Sequence, residues 1–145
     1  MFKHILIPTD GSPLAESAAR RGLELAKALG ATATAVTISP RFHVLTYRTE
    51  MLEDTRAEFM KEMDQQAKRH LDSIRRLAAE YDVPCQVQHR TSDEVADSIL
   101  DVARENGCDA IAMGSHGHHG IAGSLLGSVT QRVVAKAPMA VIVWH

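Results

Sequence analysis

Glycines recur in one stretch near the carboxyl end of the chain, and they are the residues best suited to hold a phosphate group. They stand at 114, 117, 120, 123 and 127, and Ser128 follows the last of them. Glycine lets the backbone approach a ligand closely. A loop that leads into a helix also directs backbone N–H groups and the positive end of the helix dipole at an anion. The stretch therefore predicts a phosphate-binding loop.

The donors in this loop can be named from the sequence. Ser128 is either the N-cap of the following helix or a ligand of the phosphate, and the sequence leaves both open. The hydroxyl of Thr130 is a further predicted donor. The predicted backbone donors are the N–H groups of His116, Gly117, Ser128 and Val129.

Two widespread phosphate-binding motifs do not match the stretch. A Walker loop requires G-x4-G-K-[ST], and no lysine lies between Arg104 and Arg132. The Rossmann glycine motif follows the first strand of its fold, whereas these glycines follow the fourth predicted strand. The loop therefore belongs to another class of nucleotide site.

Asp10 is an acidic residue at the carboxyl end of the first predicted strand. It follows the apolar run His4–Pro8, which is typical of a strand buried on both faces. A carboxylate beside phosphates requires a divalent cation between them, so Asp10 is a predicted partner of Mg²⁺ or Mn²⁺, directly or through water. The alternative is an aspartate that shapes the turn through its own backbone.

Three histidines in the loop raise the question of zinc. Structural zinc sites use four tetrahedral ligands, and His116, His118 and His119 have no cysteine or helical histidine to join them. We therefore expect no zinc site, with His118 and His119 exposed to solvent.

The elements that position these residues alternate along the chain as βαβαβαβαβ. Predicted strands cover 4–8, 32–38, 84–90, 109–113 and 139–144, each typical of a β-strand in composition. Ser12 is the expected N-cap of the first helix, which ends before Gly30. A long helix covers about 50–81, and its His70 is expected to pack rather than ligate. Capping boxes at Thr91–Glu94 and Ser128–Gln131 are expected to open the third and fourth helices.

This alternation predicts an α/β fold with helices on both faces of a five-stranded parallel sheet. A chain of 145 residues is most simply one domain, residues 1–145. A net charge of −2 gives no positive electrostatic field that would attract nucleic acid, so no nucleic-acid partner is expected. No apolar run reaches eighteen residues, so no membrane partner is expected either. Met1–His4 leads directly into a strand, which favours a cytoplasmic protein with Cys85 and Cys108 as buried free thiols.

The spacing G-x2-G-x9-G-S from Gly114 to Ser128, the Pro8–Ser12 turn and the valine-rich last strand resemble the nucleotide-binding universal stress proteins. The resemblance implies strand order 3-2-1-4-5, with ligands bound where that order reverses. It implies ATP as the ligand, Pro8, Thr9 and Thr37 on its adenosine side, and Met113 and Gly114 near ribose and phosphates. In that order strand five is a bare apolar edge, and we expect a homodimer to cover it.

Two classes of function follow. The first is a nucleotide-dependent regulator or sensor in the stress response, which holds ATP without turning it over. The alternative is a slow ATP hydrolase or phosphotransferase, which requires a cation at the transferred phosphate. The loop has none, although Arg41 and Arg48 lie in the segment 41–49. That segment is expected to be a mobile loop near the site, and the alternative is a solvated connector. A receiver domain requires paired acids after strand one, and Asp10 stands alone there.

Overall fold

The computed structural model describes residues 1–43, 49–117 and 126–145 of the chain. Five strands and four helices alternate in this part. The strands are β1 His4–Pro8, β2 Thr32–Ser39, β3 Cys85–Thr91, β4 Ala110–Gly114 and β5 Ala140–Trp144. The helices are α1 Pro13–Leu29, α2 Thr49–Glu80, α3 Val95–Glu105 and α4 Ser128–Lys136.

All strands are parallel and form one sheet in the order β3-β2-β1-β4-β5, as predicted. The register between β1 and β2 runs from His4 opposite Thr32 to Pro8 opposite Val36. The chain adds strands in one direction from β1 to β3 and then in the other direction from β4 to β5. The carboxyl ends of β1 and β4 therefore flank the point where the order reverses.

Each face of the sheet carries its own apolar core. Because side chains alternate along a strand, Ile5 and Ile7 contribute to one core and Leu6 to the other. The first core lies beneath α1 and α2, and its helical members include Leu23 and Ile74. The second lies beneath α3 and α4 and includes residues from both helices. The predicted doubly wound arrangement, with helices on both faces, is confirmed.

Helix α1 shows how local sequence fixes an element beside the site. The Ser12 hydroxyl accepts the Ala15 N–H at 3.2 Å, so the predicted N-cap is confirmed. Gly30 ends the helix in the left-handed conformation, with φ 66°. A Cβ at Gly22 would lie 3.1 Å from that of Ala112, and the missing side chain lets α1 pack closely against β4.

The capping box predicted at Thr91–Glu94 is wrong. Strand β3 continues through Thr91, which pairs with Ser39, so Thr91 is not available to cap a helix. Ser92 accepts the Glu94 N–H at 3.0 Å in a short turn, and Glu94 precedes α3 without a side-chain cap. Pairing along the sheet edge outweighs the local capping signal here.

Neither cysteine forms a disulfide. Cys85 is half-buried on β3, and Cys108 is buried just before β4. Burial raises the pKa of the Cys85 thiol and raises the pKa of Cys108 to about 11. Since the thiolate is the reactive form, both groups are poor nucleophiles near neutral pH.

Among the described residues, no helix combines the length and apolarity needed to cross a bilayer.

Alkylation with iodoacetamide at about pH 8 tests the burial of the Cys108 thiol. We expect Cys108 to stay unmodified in the folded protein and to react once urea unfolds the chain, because burial removes both access and thiolate. Peptide mass mapping after timed labelling measures this, and Cys108→Ser identifies the peptide. Equal labelling of Cys108 with and without urea would contradict the buried placement.

Candidate functional site

A cavity opens at the carboxyl ends of β1 and β4, where the strand order reverses. The turn after β1, the end of β4 and the first residues of α4 form one part of its wall. Val36 and Ile38 of β2 and Val95 and Ile99 of α3 form an apolar part. All the residues predicted from the sequence lie on this wall except Thr37.

Thr37 faces away from the cavity. It pairs with His89 in the register of β2 and β3 and is 4% exposed. Neighbouring residues of a strand point to opposite faces, so Val36 and Ile38 reach the cavity instead. The expectation for the Thr37 side chain is therefore corrected. Val36 lies opposite Pro8 of β1. Because side chains alternate along a strand, Val36 and Ile38 share one face of β2 and Thr37 lies on the other. Applied to the sequence, that alternation would have identified the two apolar residues.

The two carboxylate oxygens of Asp10 face different parts of the site. Oδ1 accepts the Ser12 N–H at 2.9 Å, which shapes the turn that leads into α1. Oδ2 faces Gly117, since a Cβ on that glycine would overlap it. The turn-forming role is thus present, and it coexists with the placement of the carboxylate against the glycine loop.

The two ends of the glycine loop are joined by hydrogen bonds. The Gly127 N–H donates to the Ser115 carbonyl at 2.6 Å, and the Ser115 N–H donates to the Trp144 carbonyl at 2.8 Å. A Cβ on Gly127 would lie 3.2 Å from the Ser115 carbonyl oxygen and 3.3 Å from His116 Cα, so this approach favours glycine. Residues 118–125, which include His118, His119, Gly120 and Gly123, lie outside the described part of the chain.

Thr130 strengthens the same closure. Its hydroxyl donates to the Gly114 carbonyl at 2.9 Å, and the residue is 3% exposed. A hydroxyl has one hydrogen to donate. Thr130 therefore holds the loop, and the expectation that its hydroxyl donates to a phosphate is wrong for this arrangement.

Helix α4 begins without a side-chain cap. Its N-cap is Gly127, and Ser128 is the first helical residue, so the capping box expected at Ser128–Gln131 does not form. The Gln131 amide donates instead to the Leu126 carbonyl at 2.7 Å. The first N–H groups of a helix have no partner within it, and a glycine offers no side chain to accept from them. The N–H groups of Ser128 and Val129 thus remain directed at the cavity end, with the Ser128 side chain exposed.

The ring of His116 stands beside this helix end. Its Nδ1 lies 3.0 Å from the Ser115 hydroxyl oxygen. Its Nε2 is buried and has no hydrogen-bond partner within residues 1–43, 49–117 and 126–145. Two uncapped backbone donors and one unpaired ring nitrogen therefore belong to residues that line the same cavity.

The described residues hold no group of three or more histidine, cysteine, aspartate or glutamate side chains that could bind a metal ion alone. Mg²⁺ requires less, since it commonly takes one or two carboxylates, several waters and the phosphates of its substrate. Asp10 fits that donor set.

The model of the family described as the universal stress protein family matches residues 1–145. The chain belongs to this family. It is 30% identical over 143 residues to universal stress protein MJ0531 of Methanocaldococcus jannaschii. The alignment covers 99% of this chain and 82% of that protein. The membership of the universal stress protein family predicted from the loop spacing and the Pro8–Ser12 turn is confirmed.

Solved structures confirm the fold. Protein MJ0577 of the same organism superposes with a TM-score of 0.79 and 26% identity. The superposition covers 99% of this chain and 95% of the MJ0577 chain. A universal stress protein in complex with cAMP gives 0.73 and 22%, with 99% and 97% covered. An Archaeoglobus fulgidus protein of the family in complex with dAMP gives 0.66 and 21%, with the same coverage.

Replacing Thr130 by valine tests the closure of the loop. Valine has the shape of threonine but cannot donate, so the buried Gly114 carbonyl loses its partner. We expect the free energy of unfolding in urea to fall by about 1–3 kcal/mol. Thr130→Ser keeps the hydroxyl and should lose less. A valine variant as stable as the wild type would show that this hydrogen bond contributes nothing to the fold.

Proposed function

We propose that this protein binds ATP together with Mg²⁺ or Mn²⁺ and acts as a nucleotide-dependent regulator or sensor in the stress response of the cytoplasm. One observation carries the proposal: the uncapped amino end of α4 and the Asp10 carboxylate lie against the same glycine loop. Helix N-termini that lack their own acceptor are ready anion sites. The family membership and the cavity at the reversal of strand order support the same proposal.

The division of the cavity into apolar and polar parts supports a nucleotide as the ligand. Val36, Ile38 and Ile99 offer an apolar surface for a base, with Pro8 and Thr9 beside them. Gly117, Gly127 and Ser128 form the polar end, where backbone donors favour phosphates. Relatives of the same fold are known in complex with cAMP and with dAMP, which supports the adenine class for this chain.

A divalent cation has one role to fill. It would neutralise the repulsion between the Asp10 carboxylate and the phosphates that the α4 N-terminus holds. Oδ2 faces Gly117 and is directed toward the loop, while Oδ1 remains bound to the Ser12 N–H. Asp10 could hold the cation directly or through a water molecule.

Catalysis of ATP hydrolysis is the weaker alternative. Phosphoryl transfer requires a cationic side chain at the transferred group, and the described residues of the cavity wall include no lysine or arginine. Arg48 lies outside the described residues. Arg41 follows β2, and its backbone N–H donates to Asp93 at 3.0 Å. We expect turnover well below about 1 s⁻¹, the lower end of the common range for enzymes.

The first test is thermal unfolding with nucleotide. A ligand at one hundred times its dissociation constant adds about 2.7 kcal/mol, which at this chain length raises Tm by several degrees. Millimolar MgATP should produce that shift in the wild type and none in Gly127→Val, whose side chain would press on Ser115 and His116. The absence of any shift in the wild type would count against nucleotide binding altogether.

The second test isolates the metal. Asp10→Asn keeps a side-chain oxygen for the Ser12 N–H but removes the carboxylate charge. We expect its ATP affinity, measured by calorimetry, to be the same with Mg²⁺ as with EDTA, whereas Mg²⁺ strengthens binding by the wild type. A variant that still responds to Mg²⁺ would place the cation elsewhere.

We also infer a homodimer that pairs the β5 edges of two chains. β5 is the outer strand beside β4, and Val141–Trp144 are half-buried rather than fully covered. No proline or lysine interrupts the strand, and edges of this kind attract other strands unless they are covered. A second copy related by a two-fold axis would cover it.

Light scattering tests the dimer. We expect twice the chain mass of 15.8 kDa for the wild type. Ile142→Lys should shift the mass to that of a monomer, because a buried ammonium at the paired edge is costly. Circular dichroism controls for the fold. A monomeric wild type at high micromolar concentration would refute the interface.

A further inference from the structure

The histidine at the start of the glycine loop has one satisfied and one unsatisfied ring nitrogen. Nδ1 of His116 lies 3.0 Å from the Ser115 hydroxyl oxygen, while Nε2 is buried without a partner in the described part of the chain. Its neighbouring carbon Cδ2 would lie 3.6 Å from a Cβ added to Gly127, the N-cap of α4. The unpaired nitrogen is thus next to the helix end that offers free backbone donors.

The hydrogens of this pair can be counted. Ser115 is 2% exposed, and its hydroxyl bonds to no group other than Nδ1 in the described chain. If the ring donated from Nδ1, the hydroxyl hydrogen and the Nε2 lone pair would both be left without partners. If the hydroxyl donates to Nδ1, only one group is unsatisfied, the hydrogen on Nε2. Fewer unsatisfied buried groups favour the second arrangement.

That arrangement makes the orphan nitrogen a donor, and it determines what could satisfy it. The helix end beside the ring, at Gly127, presents the Ser128 and Val129 N–H groups, which are donors as well. Donors that line one end of a cavity are satisfied together by an anion. An oxygen of a bound phosphate would accept from all of them.

We propose, on the basis of the nucleotide binding proposed above, that Ser115 is a positioning residue. Its hydroxyl donates to Nδ1 of His116, keeps the ring hydrogen on Nε2 and directs that N–H at a phosphate oxygen. The side chain of His116 thereby adds a donor to the backbone groups of the loop. The Ser115 backbone closes the loop at the same time, through the bonds with Gly127 and Trp144.

The chain supplies a matched control for this pair. Ser39 is also a buried serine, 7% exposed, whose hydroxyl lies 2.7 Å from a ring nitrogen, Nε2 of His89. It lies outside the cavity wall. Ser39→Ala therefore removes a buried serine–histidine hydrogen bond of the same kind without touching the proposed site.

Nitrogen NMR of protein labelled with ¹⁵N-histidine tests the tautomer in the nucleotide-free protein. Ring correlations distinguish a protonated nitrogen from a bare one, and His116→Gln identifies the signals. We expect a bare Nδ1 and a protonated Nε2. Ser115→Ala should shift the Nδ1 signal and mix the two tautomers, whereas Ser39→Ala should leave His116 unchanged. A hydrogen on Nδ1 in the wild type, or identical spectra in Ser115→Ala, would overturn the proposal.

Calorimetry with ATP and with adenosine tests the contact with phosphate. A glutamine amide can place an N–H near the position of Nε2, and an asparagine amide is too short. We expect His116→Asn to weaken ATP binding by about tenfold to a hundredfold and His116→Gln to restore much of it. Ser115→Ala should weaken ATP binding a few-fold, as the competent ring orientation becomes only partly populated. Adenosine, which has no phosphate, should bind all variants as it binds the wild type.

The outcomes separate this inference from the proposed function. If the wild type binds ATP and neither His116→Asn nor Ser115→Ala weakens it, the positioning role is refuted and nucleotide binding stands. Equal losses for ATP and adenosine would show a general structural effect and would also refute it. A wild type that binds neither ligand refutes the proposed function and, with it, the contact between Nε2 and phosphate.

Discussion

The hydrogen bond from the Gly127 N–H to the Ser115 carbonyl is the constraint on which the site depends. It brings the end of β4 to the beginning of α4 across a stretch of more than ten residues. Once the two are joined, the uncapped helix end stands beside the carboxyl end of β4 and opposite the turn after β1. The hydrogen bond from the Thr130 hydroxyl to the Gly114 carbonyl supports the same closure.

A second constraint comes from the opposite side, where α2 supports the turn after β1. Gly11 has a φ of 78°, and a Cβ there would collide with the ring of His70. The Ser73 hydroxyl donates to Glu16 at 3.2 Å and joins α2 to α1 just beyond the turn. His70 therefore packs against the turn, as its place on the apolar stripe of the helix predicts. The turn that carries Asp10 and Gly11 therefore lies between the glycine loop and α2, a helix of the first core.

The sheet could be predicted from the sequence because β1, β4 and β5 are apolar runs and the segments between strands are long enough for helices. The side-chain caps of α3 and α4 could not be predicted in the same way. A capping motif competes with contacts to distant parts of the chain, and the local sequence does not show those contacts. Thr91 belongs to β3, where it pairs with Ser39, and Gly127 rather than Ser128 is the N-cap of α4. The place of Thr37 was an implication of the family resemblance, whereas the alternation of side chains along β2 puts Val36 and Ile38 on the cavity wall.

The two helices at the site begin in opposite ways, and the difference is physical. At α1 the Ser12 hydroxyl accepts a backbone hydrogen, a contact that commonly contributes about 1 kcal/mol. At α4 the N-cap is Gly127, whose neighbours Ser115 and His116 leave little room for any side chain. A side-chain cap at this position would occupy the donors that an anion requires. The fold thus satisfies the end of the helix that only supports the site and leaves uncapped the end that faces the cavity. The bound ligand that we propose would add to the stability of the fold by satisfying that second helix end.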